Sequence, residues 1–183
     1  MSILRLADCP PRPWKNGQGR TRELAIHPSG AGMDDFLWRV SVAEVESAAP
    51  FSAFPGIDRM IALLDGDGFT MALDDGRVHA LTTPGAPFAF PGELGVQVAL
   101  AGGPSRDFNL MLRRGGARGG IEAWRSAGAR QVDAAVVLVY CARGRVDTGD
   151  GALHAGDAWR PSSGPLVLQE NTLALAVHVA SSA

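Results

Sequence analysis

The stretch that decides the fold is MIALLDGDGFTMALDDGRVHALTTPGAPFAFPGELGVQVAL, residues 60–100 of a chain of 183. It consists of short runs rich in Val, Leu, Ile and Phe, separated by turns that contain Gly, Pro or Asp. Apolar runs of about four to eight residues between such turn signals are typical of β-strands, and their regular spacing favours a sandwich or barrel over alternating strands and helices. The stretch therefore predicts an all-β fold.

The same order of strands and turns returns at residues 136–179, VVLVYCARGRVDTGDGALHAGDAWRPSSGPLVLQENTLALAVHV. An internal repeat with an acidic-Gly turn and a Gly/Pro-marked turn in each copy is typical of the cupin barrel, a small jelly roll. We predict two fused cupin-like β-barrels, a bicupin. An N-terminal barrel over residues 1–114 carries the ligand pocket, and a degenerate C-terminal barrel over residues 115–183 shares its core.

The join between the two copies falls in RRGGARGGIEAWRSAGAR, residues 113–130. Its arginines and glycines could indicate an RNA-binding tract. The tract is short, however, and Trp124 is its one aromatic residue, so a solvated linker is favoured. The segment GGIEAWRSAG, residues 119–128, is the one part of the chain that could form a short helix.

Charge and composition exclude several classes of function. A net charge of −2 offers no electrostatic basis for binding nucleic acid or an anionic membrane. The longest apolar run, AAVVLVYCA at residues 134–142, is too short to span a bilayer, and the N-terminus lacks the apolar core of a signal peptide. Cys9 and Cys141 do not make a disulfide framework. We therefore expect a cytoplasmic protein that binds neither nucleic acid nor membrane.

Histidine spacing argues against a metal centre. The usual metal-binding cupin carries a His-x-His pair with a further His and a carboxylate, whereas His27, His79, His154 and His178 each stand alone. The chain also lacks a G-x-S-x-G elbow, and GQGR at residues 17–20 misses the third glycine of a nucleotide-binding loop. We predict a metal-free barrel without a cofactor.

Polar residues concentrate before residue 115, beginning with PWKNGQGRTRE at residues 13–23. Lys15 is the single lysine of a chain with sixteen arginines, which indicates that this position needs a lysine. It stands beside Asn16, one of three asparagines, just before a Gly-x-Gly turn. The glycines allow a tight turn that can bring the backbone close to a ligand.

Three further stretches place polar residues on predicted strands. In FLWRVSVAEV, residues 36–45, period-two alternation puts Arg39 on one face together with small residues, as in the wall of a pocket. Asp58 and Arg59 follow a Pro-Gly turn at the start of a strand. Asp107 and Asn109 are two residues apart and share a face if the chain is extended there.

Each of these residues also has a plainer structural interpretation. Arg22–Glu23 and Asp58–Arg59 could be surface ion pairs worth under about 1 kcal/mol each. Asn109 could cap a turn. As a set, however, the polar motifs cluster in one half of the chain, while the matching half contains almost nothing comparable. That asymmetry favours a binding site.

Four stretches together resemble the HutD family, also called the Ves family, of bacterial bicupin-like proteins. They are PWKNGQGRTREL at 13–24, WRVSVAEV at 38–45, FSAFPGIDR at 51–59 and GGPSRDFNLMLRR at 102–114, in the family's order and spacing. The resemblance implies two fused cupin-like barrels without the usual metal site. The family's pocket residues map onto Trp14, Lys15, Asn16, Arg22, Glu23, Arg39, Asp58, Arg59, Asp107 and Asn109.

The resemblance also implies a setting, because family members are associated with histidine-utilisation operons. There a regulatory role in sensing or buffering urocanate or formylglutamate is implied. We therefore expect a metal-independent binding protein for a small anionic metabolite. Two alternatives stay open: a metal-free cupin enzyme, an isomerase or hydrolase with Lys15 or Glu23 as its acid–base group, and a stress-related interaction protein. The chain could also form a homodimer.

Overall fold

Strands make up nearly all of the regular structure. The computed structural model describes residues 3–14, 17–161 and 163–181. Within these ranges the one helical element is a 3-10 turn at Leu6–Asp8. The described residues therefore include no helical segment of the length that a bilayer requires. The first part of the chain forms β1 (Ile3–Arg5), β2 (Arg12–Pro13), β3 (Gly19–His27), β4 (Trp38–Val45), β5 (Ile57–Gly66), β6 (Phe69–Leu73), β7 (Val78–Leu81), β8 (Pro87–Pro91), β9 (Val96–Leu100) and β10 (Ser105–Arg113). The second part forms β11 (Ala117–Trp124), β12 (Gly128–Val132), β13 (Val136–Arg143), β14 (Arg145–Thr148), β15 (Gly151–His154), β16 (Asp157–Trp159), β17 (Gly164–Leu168) and β18 (Leu173–Ser181).

The strands form four open sheets rather than closed barrels. A six-stranded sheet of order β2-β3-β4-β10-β5-β8 packs on a three-stranded sheet of order β7-β6-β9. A five-stranded sheet of order β1-β16-β13-β18-β11 packs on a four-stranded sheet of order β12-β17-β14-β15. We call these two pairs the first sandwich and the second sandwich. The expected all-β fold is confirmed.

The two sandwiches share one pairing scheme. In the first, β5 pairs with β10 and β8, and β6 pairs with β7 and β9. In the second, β13 pairs with β18 and β16, and β14 pairs with β15 and β17. A matching hydrogen bond fixes the correspondence: Gly68 N–H donates to Ser105 Oγ, and Arg145 N–H donates to Thr172 Oγ1. The internal repeat read from the sequence is therefore present.

An apolar cluster joins the two sandwiches. Val40, Phe108 and Leu110 of the first sandwich belong to the same cluster as Leu138 and Leu175 of the second, and all five are fully buried. Burial of one such side chain stabilises the fold by about 1.5–3 kcal/mol, so the two halves support each other. Strand β1 adds a further link, because it pairs with β16 of the second sandwich.

Residues 119–128 do not form the short helix that the sequence allowed. Ala117–Trp124 is strand β11, at the edge of the five-stranded sheet and paired with β18. Gly119 approaches β18 so closely that a Cβ there would stand 1.9 Å from the carbonyl oxygen of His178. A glycine in a strand permits this approach of two backbones. Local composition suggested a helix or linker, and sheet pairing overrides it.

Candidate functional site

A polar cluster lies inside the first sandwich, on strands β5 and β10. Successive residues of a strand face opposite sides of its sheet. On β10, Phe108 and Leu110 face the apolar cluster between the sandwiches, so Asp107 and Asn109 face the interior of the first sandwich. Arg59, on the neighbouring strand β5, contacts Asn109 from the same side. Asp107 and Asn109 share one face, as their spacing predicts.

Arg59, Asn109 and Asp107 form a buried hydrogen-bonded chain. Arg59 Nη2 donates to Asn109 Oδ1 at 3.1 Å, and Asn109 Nδ2 donates to Asp107 Oδ2. The exposed fractions of the three residues are 7%, 4% and 1%. Arg59 Nε and Asp107 Oδ1 have no hydrogen-bond partner among the described residues. Because buried polar atoms are normally paired, two unpartnered atoms at the ends of one chain indicate a place for a ligand.

Burial acts on both charges of this chain. Removal from water raises the pKa of Asp107 to about 7, although the hydrogen bond from Asn109 and the charge of Arg59 act in the opposite direction. The same removal from water lowers the pKa of Arg59 to about 10, with Asp107 opposing the shift and Arg39 adding to it. At neutral pH Arg59 is charged and Asp107 is close to half ionised. The hydrogen-bonded chain of Arg59, Asn109 and Asp107 therefore carries a net positive charge.

Three phenyl rings surround the Arg59 guanidinium. Its Cζ lies 5.3, 5.4 and 5.0 Å from the ring centroids of Phe51, Phe54 and Phe90. The face of an aromatic ring attracts a cation within about 6 Å, and the apolar rings also exclude water from the group. These contacts hold the guanidinium in place without neutralising it. Its charge is left for an anion.

Arg39 and Glu23 form an ion pair at the edge of the polar cluster. Arg39 Nε donates to Glu23 Oε2 at 2.8 Å, and 9% of the Arg39 side chain and 24% of the Glu23 side chain are exposed. Arg39 is close enough to Arg59 for its charge to lower the pKa of Arg59. The pair is neutral as a whole. It borders the interior without changing the net charge there.

Trp14, which follows strand β2, lies beside the same interior and is held there by contacts with Thr21, Phe51 and Gly19. Its Nε1–H donates to Thr21 Oγ1 at 2.8 Å, and its ring meets Phe51 edge-on with 6.5 Å between centroids. The indole packs directly on Gly19, where a Cβ would stand 2.9 Å from two of its ring carbons. Glycine is therefore needed at this position so that Trp14 can lie next to Phe51 and, through it, Arg59.

Two predicted site residues lie on the other faces of their strands. Arg22 donates to Glu44 Oε1 at 3.0 Å and is partly exposed. Asp58 pairs with Arg114 at 2.6 Å, and 54% of the Asp58 side chain is exposed. Adjacent residues of a strand face opposite sides, so Asp58 cannot share the interior with Arg59. Arg22 and Asp58, both expected to line the pocket, thus form ion pairs on the side of their strands away from the interior.

The remaining predictions for the site divide into two groups. Lys15 and Asn16 lie outside the described residues. The structure brings together six predicted residues at or beside the interior: Trp14, Glu23, Arg39, Arg59, Asp107 and Asn109. The sequence reading missed the rings around Arg59. Phe51 and Phe54 stand within a motif that pointed to the site, but Phe90 reaches Arg59 through the pairing of β5 with β8.

The equivalent positions of the second sandwich are apolar. Ser105 and Thr172 accept equivalent hydrogen bonds through their hydroxyl groups and therefore occupy equivalent positions, at the start of β10 and immediately before β18. Counting along the two strands from this pair, Asp107 corresponds to Ala174 and Asn109 to Ala176. Both alanines are fully buried in the apolar cluster of the second sandwich. Trp124, which pairs with Ala174 across the sheet, contributes its ring to that cluster. The two positions of β10 that carry Asp107 and Asn109 thus carry small apolar residues in the second sandwich.

A surface groove of about 510 Å³ lies elsewhere, where the 3-10 turn meets both sandwiches. Charged residues line it, and four of them form ion pairs across it: Arg5 with Asp157, and Arg22 with Glu44. None of the buried atoms found without a partner in the described ranges belongs to its lining residues. The groove therefore presents no buried polar atom without a partner, unlike the interior of the first sandwich.

The donor atoms of that interior do not fit a metal ion. Asp107 is its one deeply buried carboxyl group, and the adjacent guanidinium of Arg59 repels a cation. In the part of the chain that the structure describes, no three His, Cys, Asp or Glu residues stand together as a metal site. His27 instead stacks on Trp38, with 5.6 Å between ring centroids. The side chains themselves are the groups available to a ligand.

The architecture places the protein among cupin-like folds. A variant of the oxalate decarboxylase of Bacillus subtilis superposes with a TM-score of 0.65 over 99% of this chain and 79% of that one. Its 10% identity supports the likeness of fold alone. HutD from Pseudomonas fluorescens SBW25 superposes with a TM-score of 0.84 at 27% identity, over 100% of this chain and 99% of that one.

The sequence profile of the HutD family matches residues 6–179, so the chain belongs to the HutD family. A Pseudomonas putida relative, named as an uncharacterized 21.2 kDa protein in the hutC 3′ region, is 38% identical over 147 residues, which are 80% of this chain and 76% of that protein. Protein Ves of Cronobacter sakazakii is 38% identical over 115 residues, or 62% of this chain and 61% of Ves. The resemblance drawn from four motifs is confirmed.

Proposed function

We propose that this protein binds a small anionic metabolite, and that the carboxylate of the metabolite contacts Arg59 inside the first sandwich. The observation that carries the proposal is the buried Nε of Arg59, which has no partner among the described residues. A guanidinium is a planar, permanently charged donor that suits a carboxylate. Asn109 accepts a hydrogen bond from Nη2 and three phenyl rings contact the guanidinium, so Nε–H is a buried donor that remains for a ligand.

Within this class, metabolites such as urocanate and formylglutamate suit the site. Each carries a carboxylate together with a flat ring or an amide group. The rings of Trp14 and Phe51 beside the interior offer a surface that a flat group can contact. Membership of the HutD family and the relative from the hutC region support a regulatory role in histidine utilisation. We assign that role to the cytoplasm.

For the architecture we infer two fused jelly-roll barrels, a bicupin, in which each sandwich represents one barrel. Residues 1–114 would carry the ligand site and residues 115–183 would form the degenerate partner. The repeated pairing scheme supports this division, as do the alanines that replace the polar chain in the second copy. The apolar cluster between the sandwiches would be their common core.

A second candidate function is metal-free acid–base catalysis on the same metabolite. Asp107 favours it, because a buried carboxyl group with a pKa of about 7 can accept or donate a proton at neutral pH. Chromatography of urocanate or N-formyl-L-glutamate after incubation with the protein would detect a product. Turnover that is lost in Asp107→Asn while binding is kept would favour an isomerase or hydrolase over a binding protein.

Calorimetry and thermal denaturation with urocanate, N-formyl-L-glutamate, L-histidine and L-glutamate test the binding function. A ligand at 100 times its dissociation constant stabilises the folded state by about 2.7 kcal/mol. We expect urocanate or N-formyl-L-glutamate to give this stabilisation and Arg59→Met to remove it. Arg145→Met, a matched change of an exposed arginine in the second sandwich, should keep it. No stabilisation by any of the four compounds at millimolar concentration would contradict the proposal.

A further inference from the structure

We propose that the anion enters the first sandwich together with a proton, so that Asp107 is a neutral carboxyl group in the complex and donates a hydrogen bond from Oδ1 to the carboxylate of the ligand. This inference rests on the proposed function and adds a specificity-determining residue to the same site. The part of the ligand that enters the interior must then be a group that only accepts hydrogen bonds. A carboxylate meets that condition, and an ammonium group does not.

The hydrogen-bond pattern decides which oxygen of Asp107 carries the proton. Asn109 Nδ2 donates to Asp107 Oδ2, so Oδ2 already acts as an acceptor. Oδ1 has no partner among the described residues and is therefore the free position for a proton. A protonated carboxyl group offers one O–H donor. The O–H of Asp107 would then be a second unused donor, and with Arg59 Nε–H it would give the hydrogen-bonded chain a free donor at each end.

Counting charges around Asp107 gives the reason for a proton to accompany the ligand. Arg59 on β5 and Asn109 on its own strand act directly on Asp107, and the Arg39–Glu23 pair on β4 and β3 lies beyond Arg59 in the same interior. With Asp107 ionised, these groups sum to zero, and a bound carboxylate would leave a net negative charge in a buried place. With Asp107 protonated they sum to +1, and a carboxylate brings the total to zero. An unpaired buried charge is strongly unfavourable, so the second arrangement is preferred.

The ionisation of Asp107 in the unliganded protein agrees with this arrangement. Burial raises the pKa of Asp107 to about 7, so the proton is present on about half of the molecules at neutral pH. A ligand carboxylate nearby raises the pKa further, because a like charge disfavours the ionised form. At pH 8, above this pKa, most molecules have an ionised Asp107, so binding should draw up to one proton per site from the solution.

Titration calorimetry in HEPES and in Tris at pH 8 measures this proton uptake, because the two buffers release protons with different enthalpies. The probes are urocanate and N-formyl-L-glutamate, neither of which titrates appreciably at that pH: carboxylates have pKa values of about 4 and an imidazole of about 6.5. We expect uptake close to one proton. Affinity should fall nearly tenfold between pH 7.5 and pH 8.5, since one proton is linked to one ligand.

Two variants complete the test. Asp107→Asn keeps an N–H donor at the Oδ1 position, so it should bind the same probe with no proton uptake at pH 8 and with constant affinity from pH 7.5 to 8.5. Asp58→Asn, a change at an exposed ion pair on the other face of β5, should behave like the unaltered protein. Binding by the unaltered protein without proton uptake would overturn this inference and leave the proposed function intact, whether or not Asp107→Asn folds. Failure of both probes to bind would overturn both.

Discussion

Replacing Arg59 by methionine should abolish binding of the anion and leave the free energy of unfolding within about 2 kcal/mol of its original value. The charged form of Arg59 is disfavoured in the folded state, where burial lowers its pKa well below that of a free guanidinium, to about 10. The folded-state pKa lies below the unfolded one, so this penalty applies in full at pH 7. A shift of this size corresponds to about 3 kcal/mol, which the substitution would remove.

The same substitution also removes favourable contacts. Asn109 loses the donor to its Oδ1, which costs about 1–3 kcal/mol for a buried acceptor left without a partner. The three phenyl rings lose a cation, each contact being worth about 0.5–1 kcal/mol or more. Methionine keeps most of the volume of the side chain, so the cavity that remains is small. Losses and gain are of similar size, and the net change in stability is therefore small.

Urea denaturation followed by tryptophan fluorescence at pH 7 measures the change in stability. Calorimetry with urocanate and N-formyl-L-glutamate measures binding by the same preparations. Arg145→Met makes the same chemical change at an exposed side chain of the second sandwich and should alter neither quantity appreciably. If Arg59→Met kept full affinity while losing more than about 3 kcal/mol of stability, Arg59 would be a structural member of the core, and the assignment of the site would be wrong.

Three further predictions follow from the geometry. The pKa of Asp107 is higher in the folded protein than in the unfolded chain, so ionisation of Asp107 destabilises the folded state increasingly as the pH rises from about 4 to about 7. The variant Asp107→Asn cannot ionise and should therefore be more stable than the unaltered protein at pH 8, by up to about 4 kcal/mol. Urea denaturation at pH 8 measures this difference, which should almost vanish at about pH 4. Gly19→Ala would place a Cβ 2.6 Å from the carbonyl oxygen of Glu44, so we expect a loss of about 1–3 kcal/mol and a shifted emission spectrum from the displaced Trp14. Elemental analysis of protein purified without chelator should find well under one transition-metal ion per chain, and stoichiometric zinc, nickel or iron would contradict the account.

Period-two alternation explains how much of the site could be predicted from the sequence. The spacing of Asp107 and Asn109 was enough to put them on one face, and the small residues after Arg39 indicated a pocket wall. Alternation alone leaves open which face is the interior. Asp58 and Arg59 were therefore both assigned to the pocket, although neighbours on a strand face opposite ways, and the packing of β5 selects Arg59.

Contacts between distant strands explain what the sequence could not provide. Phe90 reaches Arg59 because β8 pairs with β5, which depends on the register of the sheet rather than on a local motif. Residues 119–128 could be read as a short helix, but residues 119–124 belong to strand β11 and pair with β18 at the far end of the chain. The unpaired Nε of Arg59 likewise could not be predicted, because the burial of this atom depends on packing rather than on a local sequence pattern.

A crystal structure of the protein grown with saturating urocanate or N-formyl-L-glutamate would show where the anion binds. We expect density for a carboxylate inside the first sandwich, with oxygen atoms within about 2.7–3.2 Å of Arg59 Nε and Asp107 Oδ1. Density for the ligand in the surface groove between the sandwiches, beside Arg5 and Arg22, with the interior unchanged, would contradict the proposed site.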